Sequence, residues 1–330
     1  MSSGTPQPFD SDVAQPYLRI PSYPLPDSLL YLISPTWIPG RQCIVTGAAS
    51  NVVIWSVADR KQEGKPLQHG GILNDVVVSR DGQKMVSASL EGRIKVWDVE
   101  SQQLLKEWDH PMENINVAIS PDGHLVAADG DKVLIYTLEG EIKRPIVPTW
   151  PANCVSFSPG SDKLACCTFC GISVYDIDSG TLVCATPPVT QGWIEGLLWS
   201  PNGWLFSRSG SFIHCWDAST GEQVRQPWLG GDSDQQVTFF SLSPDGLILA
   251  STTSGKLLQE DHALQFWDTS GNLLAQPFRV KGKPTGLCFS PSGEFVATTT
   301  IKEIHLWRVP TTIGNFTSRY VPVAACMTIV

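Results

Sequence analysis

The chain has 330 residues, 42% of them hydrophobic and 17% charged, with 32 acidic side chains against 23 basic ones and a formal net charge of −9. An acidic balance without a clustered basic surface argues against binding to a nucleic-acid backbone, and no apolar run approaches the ~18 residues of a membrane span. Nine cysteines, an odd number without short even spacing, point to free buried thiols in a reducing compartment.

Residues 1–13 are polar and contain Pro, without the basic start and apolar core of a secretory leader, which predicts a soluble cytoplasmic protein, or a nuclear one. Ala14-Gln15-Pro16-Tyr17 then resembles Ala275-Gln276-Pro277-Phe278 far downstream. From there the chain repeats itself. Aliphatic or β-branched runs end in Trp55, Trp97, Tyr136, Tyr175, Trp216, Trp267 and Trp307, spaced by about forty residues and more widely only before Trp267. Each run is preceded by a Ser that usually opens a Ser-Pro-x-Gly turn, at Ser34, Ser79, Ser120, Ser158, Ser200, Ser243 and Ser290. Pro presets φ early in such a turn and Gly accepts positive φ late in it, so each joins two strands. Upstream of the turns, pairs such as Val76/Val78, Val155/Phe157 and Leu287/Phe289 alternate with a period of two, the pattern of a strand packed on one face.

Between one aromatic end and the next turn a fourth strand is required, and Pro66, Pro145, Pro227 and Pro277 fall there. A central strand does not tolerate the lost donor, so these are outer edges. The last repeat shows no such strand after Trp307, while residues 15–20 look like an outer strand with no inner ones. Pairing the two closes a ring and removes an open edge. The apolar run Tyr320–Val330 is the rival for that edge.

These repeats resemble the WD40 family. Trp97-Asp98, Trp216-Asp217 and Trp267-Asp268 keep the Trp-Asp dipeptide, Tyr175-Asp176 keeps the acid, and Trp55-Ser56, Tyr136-Thr137 and Trp307-Arg308 lack it. The resemblance implies an all-β, seven-bladed β-propeller of four-stranded antiparallel blades over residues 14–310, closed by the N-terminal outer strand, with a disordered tail at 1–13 and a C-terminal tail at 311–330. It further implies that His69, Ser87, Glu91 and Trp97 form a buried blade-stapling network. His, Ser and a carboxylate also suggest a nucleophilic triad, but the spacing is that of the structural network. His110 stands ten residues before Ser120, as His69 does before Ser79, in a blade ending in Tyr136. Asp261 precedes Trp267 as Glu91 precedes Trp97, without a His, so most blades are expected to have lost the network.

Little else carries chemistry. Cys166, Cys167 and Cys170 give a Cys-x-x-Cys spacing without a second ligand pair, which reads as core thiols and not as a metal site. The channel-mouth positions lie five and seven residues before each Ser: Leu29, Asn74, Ile115, Asn153, Glu195, Thr238 and Thr285, then Asp27, Ile72, Glu113, Pro151, Trp193, Gln236 and Lys283. None is His, and the acids sit among amides and apolar groups, as on an interaction rim. Trp193, with Glu195, Asn74, Glu113, Asn153, Gln236 and Lys283 around the mouth, forms the candidate partner-binding rim. Trp193 is either its anchor or folded over a neighbouring loop. Residues Ser254 to His262 form a long inter-strand loop suited to recognition or to drift. The expectation is a non-catalytic scaffold for protein or peptide partners in a multiprotein complex, with no cofactor, metal, nucleic acid or membrane. The alternatives are an enzyme acting at the channel mouth or a reader of a basic or modified peptide at the rim.

Overall fold

A computed structural model describes residues 18–19, 33, 35–168, 171–189, 192–231, 235–254, 262–301 and 303–310. Every regular element among them is a β-strand, and the strands form seven four-stranded antiparallel sheets. Blade 1 runs Thr36–Trp37, Cys43–Ala48, Asn51–Ser56 and Lys61–Gln68, and blade 2 Leu73–Val78, Lys84–Ser89, Arg93–Asp98 and Leu104–Asp109. Blade 3 comprises Val117–Ile119, Leu125–Ala128, Val133–Thr137 and Ile142–Ile146; blade 4, Ala152–Phe157, Lys163–Thr168, Ile172–Asp176 and Leu182–Ala185. Blade 5 is built from Ile194–Trp199, Trp204–Ser209, Phe212–Asp217 and Gln223–Leu229, and blade 6 from Gln236–Leu242, Ile248–Ser254, His262–Asp268 and Phe278–Val280. Blade 7 has only three consecutive strands, Pro284–Phe289, Phe295–Thr300 and Glu303–Arg308.

Its fourth strand is Leu18–Arg19, paired antiparallel as Leu18 to Ile304 and Arg19 to Glu303. The ring is therefore closed by the N-terminal segment. The tails 1–13 and 311–330, including the Tyr320–Val330 run, lie outside the described residues, as do Cys170, Asp261 and residues 255–261 of the long loop. Ser254 pairs with His262, so that loop is the hairpin between the second and third strands of blade 6.

The recurring Ser has a physical reason. Its buried hydroxyl accepts the backbone N–H at the start of the following strand, from Lys84 to Ser79 at 2.9 Å, Leu125 to Ser120 at 2.9 Å, Ile248 to Ser243 at 2.9 Å and Phe295 to Ser290 at 3.1 Å. The turn Gly takes the left-handed conformation, with φ of 72° at Gly82 and 74° at Gly123. In blade 4 that conformation falls on Ser161, at φ 60°, and not on Gly160 of the expected Ser158-Pro159-Gly160 turn. Pro66, Pro145 and Pro227 sit in outermost strands, where no ladder donor is missed.

The core lies between blades. Ile38, Val45, Val52 and Ile54 of blade 1 pack against Val76, Met85 and Trp97 of blade 2, and Trp37 and Trp55 pack against Ala297, Ile304 and Leu306 to seal the junction with blade 7. Neighbour contact thus carries stability around the ring, as in other repeat architectures.

Candidate functional site: the channel mouth

The inner strands open onto a central cavity of about 640 Å³ at one face. Of the rim residues picked out by sequence, Asn74, Glu195, Gln236 and Lys283 line it; Glu113, Asn153 and Trp193 do not, and Asp27 and Leu29 lie outside the described residues.

In five blades the residue five before the Ser is an extra one in the inner strand. The register shifts between Leu73 and Asp75, Ala152 and Cys154, Ile194 and Gly196, Val237 and Phe239, and Pro284 and Gly286. The extra residues are Asn74, Asn153, Glu195, Thr238 and Thr285, and a bulge re-aims such a side chain out of the ladder. Asn74 Nδ2 donates to the Ile115 carbonyl of blade 3 at 2.8 Å, and Asn153 Nδ2 to the Ile194 carbonyl of blade 5 at 2.9 Å. Asn116 Nδ2 donates to the Asn153 carbonyl at 3.2 Å, linking blades 3 and 4. Glu195 holds Arg208, whose Nη1 donates to Glu195 Oε2 at 2.6 Å and to the Val237 carbonyl of blade 6 at 2.8 Å. Asn74, Asn153 and Glu195 therefore stitch blades together, and Asn74 and Glu195 also line the mouth. Sequence reasoning missed Asn116 and Arg208. Arg208 left a signal, a guanidinium in the otherwise buried strand Trp204–Ser209.

Two carboxylates belong to the same belt. Asp75 lines the cavity and accepts from Val76 N at 2.9 Å and, across the blade boundary, from Val117 N at 3.2 Å. Asp129 accepts from Asn116 N at 2.7 Å and Asn116 Nδ2 at 2.8 Å. Burial pushes Asp75 up to about 6, and burial reinforced by the nearby Asp75 charge pushes Asp129 up to about 7. Among the described residues no group of three or more His, Cys, Asp or Glu is arranged to hold a metal ion.

Beside the cavity the connections entering blades 3, 4 and 5 carry large exposed apolar groups: Met112 at 36%, Val147 at 64%, Trp150 at 52% and Trp193 at 60% exposure. A backbone pair, a close approach and a side-chain bond link the segments that carry them into an arc. Gly130 and Ala152 exchange bonds of 3.2 and 2.9 Å, joining blade 3 to the residue two past Trp150. Met112 lies against Gly130, where a Cβ would stand 3.4 Å from Met112 Cγ. The Asn153 to Ile194 bond ties this segment to the residue after Trp193. Exposed Glu113 and Asp131 border the arc. Trp150 escaped the sequence reading because it stands eight residues before Ser158, between no two of the offsets inspected.

The stapling residues sit elsewhere, between the strands of blade 2. His69 is fully buried, with Nε2 3.4 Å from the Ser87 backbone carbonyl, while Ser87 Oγ accepts from Trp97 Nε1 at 2.8 Å. Glu91 accepts from Ile72 N at 3.2 Å and makes no hydrogen bond to His69. The indole-to-hydroxyl half of the network is present in every blade ending in Trp, from Trp55 to Thr46, Trp216 to Ser207, Trp267 to Ser251 and Trp307 to Thr298 at 2.8–3.0 Å. The hydroxyl half of the network is therefore kept in the blades ending in Trp, against the expected general loss. His110 accepts from Met112 N at 3.1 Å through Nδ1 and packs edge-on to Tyr136. Burial lowers His69 and His214 to about 4 and keeps both neutral.

Free thiols were expected throughout, and one pair departs from this. Cys154 and Cys167, opposite each other on the first two strands of blade 4 with Cα atoms 5.4 Å apart, are joined as a disulfide. Cys166 is a buried free thiol, its pKa pushed up by burial.

A family model described as "WD domain, G-beta repeat" matches residues 62–98. The transcriptional corepressor LEUNIG_HOMOLOG of Arabidopsis thaliana is 21% identical over 277 residues, covering 82% of this chain and 34% of that protein. Eukaryotic translation initiation factor 3 subunit I of Drosophila willistoni is 30% identical over 36% of this chain and 38% of its own length. Meiotic recombination protein rec14 of Schizosaccharomyces pombe is 30% identical over 42% of this chain and 48% of its own length. The matched region thus spans between a third and a half of these relatives. The chain is thus a seven-bladed β-propeller with a WD domain, G-beta repeat matched at residues 62–98.

Proposed function

We propose that this propeller is a non-catalytic scaffold that holds a protein or peptide partner on its channel-mouth face, within a larger assembly. The observation that carries this reading is the exposure of Met112, Val147, Trp150 and Trp193 on successive connections entering blades 3, 4 and 5. Indoles more than half exposed beside a polar border have the composition of an interface core and rim. The names of the relatives, a corepressor, an initiation-factor subunit and a recombination protein, agree with work in assemblies. Two charged groups in the cavity wall are already engaged, Asp75 by backbone N–H groups and Arg208 by Glu195 and two carbonyls.

Affinity capture from source cells tests the reading. Wild-type chain should retain a defined set of proteins that the Trp193→Ala and Trp150→Ala chains lose, with circular dichroism unchanged. Equal capture by all three chains removes the arc from the function.

A further inference from the structure

We propose that the arc over blades 3 to 5 receives an extended partner segment in which apolar side chains alternate with Lys or Arg; this rests on the scaffold reading above. The first argument is electrostatic. Glu113 and Asp131 are exposed at the arc, where the nearby exposed cations are Lys132 and Arg93, the latter already paired with Asp109. Glu195 is set aside, because Arg208 already neutralises it. Across the mouth, blade 7 presents Lys281 and Lys283, both exposed and without an ion pair among the described residues. The mouth is therefore polarised, acidic beside the aromatics and basic opposite them. A cationic segment is drawn to blades 3–5 and repelled from blade 7.

Chemistry of the anchors agrees. An indole face attracts a guanidinium or ammonium as well as apolar groups, so Trp150 and Trp193 suit alternating basic and apolar side chains. A wholly apolar partner would bury Glu113 and Asp131 without a counter-charge, which costs free energy. The floor is also held in place beforehand. The chain of bonds from Asn116 to Asn153 to Ile194 fixes the strand starts beneath the two indoles, so little ordering remains to oppose binding.

The test uses the full chain and three short fluorescein-labelled peptides of matched length, alternating Leu or Phe with Arg, with Glu, or with Gln. Fluorescence anisotropy is read at low and high salt. The Arg peptide should bind at least about tenfold tighter than the Glu peptide at low salt and lose affinity as salt rises. Trp150→Ala and Trp193→Ala should each weaken it about tenfold or more. The double variant Glu113→Gln, Asp131→Asn, made at two exposed positions, should weaken it several-fold and flatten the salt dependence, while Lys283→Gln should leave it equal or slightly tighter. Equal affinity for all three peptides, no measurable binding of the Arg peptide, or indifference to the Glu113/Asp131 double variant overturns the proposal. If cell capture still depends on Trp193 in that case, the scaffold reading stands and only the cationic segment falls.

Discussion

Blades 2, 4 and 5 and blades 6 and 7 use the same bulged position for different ends. On the first side, Asn74, Asn153 and Arg208 under Glu195 send a side chain to the carbonyl of the next blade. On the second, Thr238 turns to Thr252 and Thr285 to Thr299, both within their own blade. The cross-braced side carries the exposed aromatics and the acids; the other carries Lys281 and Lys283. Bracing thus coincides with the surface that has binding chemistry, as expected where a site must be preorganised on a rigid base.

The sharpest way to break this comparison is at Arg208. Arg208→Ala leaves Glu195 and two carbonyls without their donor, and Glu195 is half exposed and can recover water. The loss should be about 2–3 kcal/mol. Arg208→Lys should recover only part of it, since an ammonium cannot span the carboxylate and the carbonyls as a planar fork does. Thr285→Val, at the bulged position of blade 7 that corresponds to Glu195, should cost no more than about 1 kcal/mol. Thermal melts of the three variants decide it; comparable losses at Arg208 and Thr285 would mean the two sides are equally braced.

A second contrast sets His69 against the rim. His69→Ala opens a cavity in a fully buried site and removes the partner of the Ser87 carbonyl, at about 1–3 kcal/mol, and it should leave partner capture intact. Trp193→Ala should do the reverse, weakening partner binding by about 1.4 kcal/mol or more with the melting temperature unchanged. Should deletion within residues 255–261 abolish binding while Trp193→Ala does not, the long loop of blade 6 holds the partner instead of the arc.

How far the sequence alone reached follows from the range of each interaction. Repeat number, hairpins, Pro-marked edges and closure by the N-terminal segment, seen at Leu18–Arg19, were legible because each rests on local patterns that recur. The stitches were not, since an Asn side chain finds its partner on a strand about forty residues away and only the bulge directs it there. The same bulge hid the Cys154–Cys167 pair: without the register shift between Ala152 and Cys154, the residue opposite Cys154 would be Cys166. The Trp-to-hydroxyl bonds were overlooked because Thr46, Ser207, Ser251 and Thr298 lie on the adjacent strand, where no fixed dipeptide marks them.

The smallest expected effect is one of pH, and its sign differs between the two kinds of buried group. Asp129, raised to about 7 from an unfolded value of roughly 3.9, contributes stability that is fully present below the unfolded value and is lost as pH rises through 7. His214 has both ring nitrogens buried without a hydrogen bond and is stacked on Trp216 at 5.6 Å. Burial lowers it to about 4, so its contribution is present above roughly pH 6.5 and is lost as pH falls toward 4. Relative to wild type, Asp129→Asn should therefore look more favourable at pH 8 than at pH 5, and His214→Phe more favourable at about pH 4.5 than at neutrality. Melting temperatures across this range give both difference curves. Curves that run flat, or that slope the same way, would show that the acidic wall of the stitched blades and the histidine of blade 5 do not titrate against folding as their burial requires.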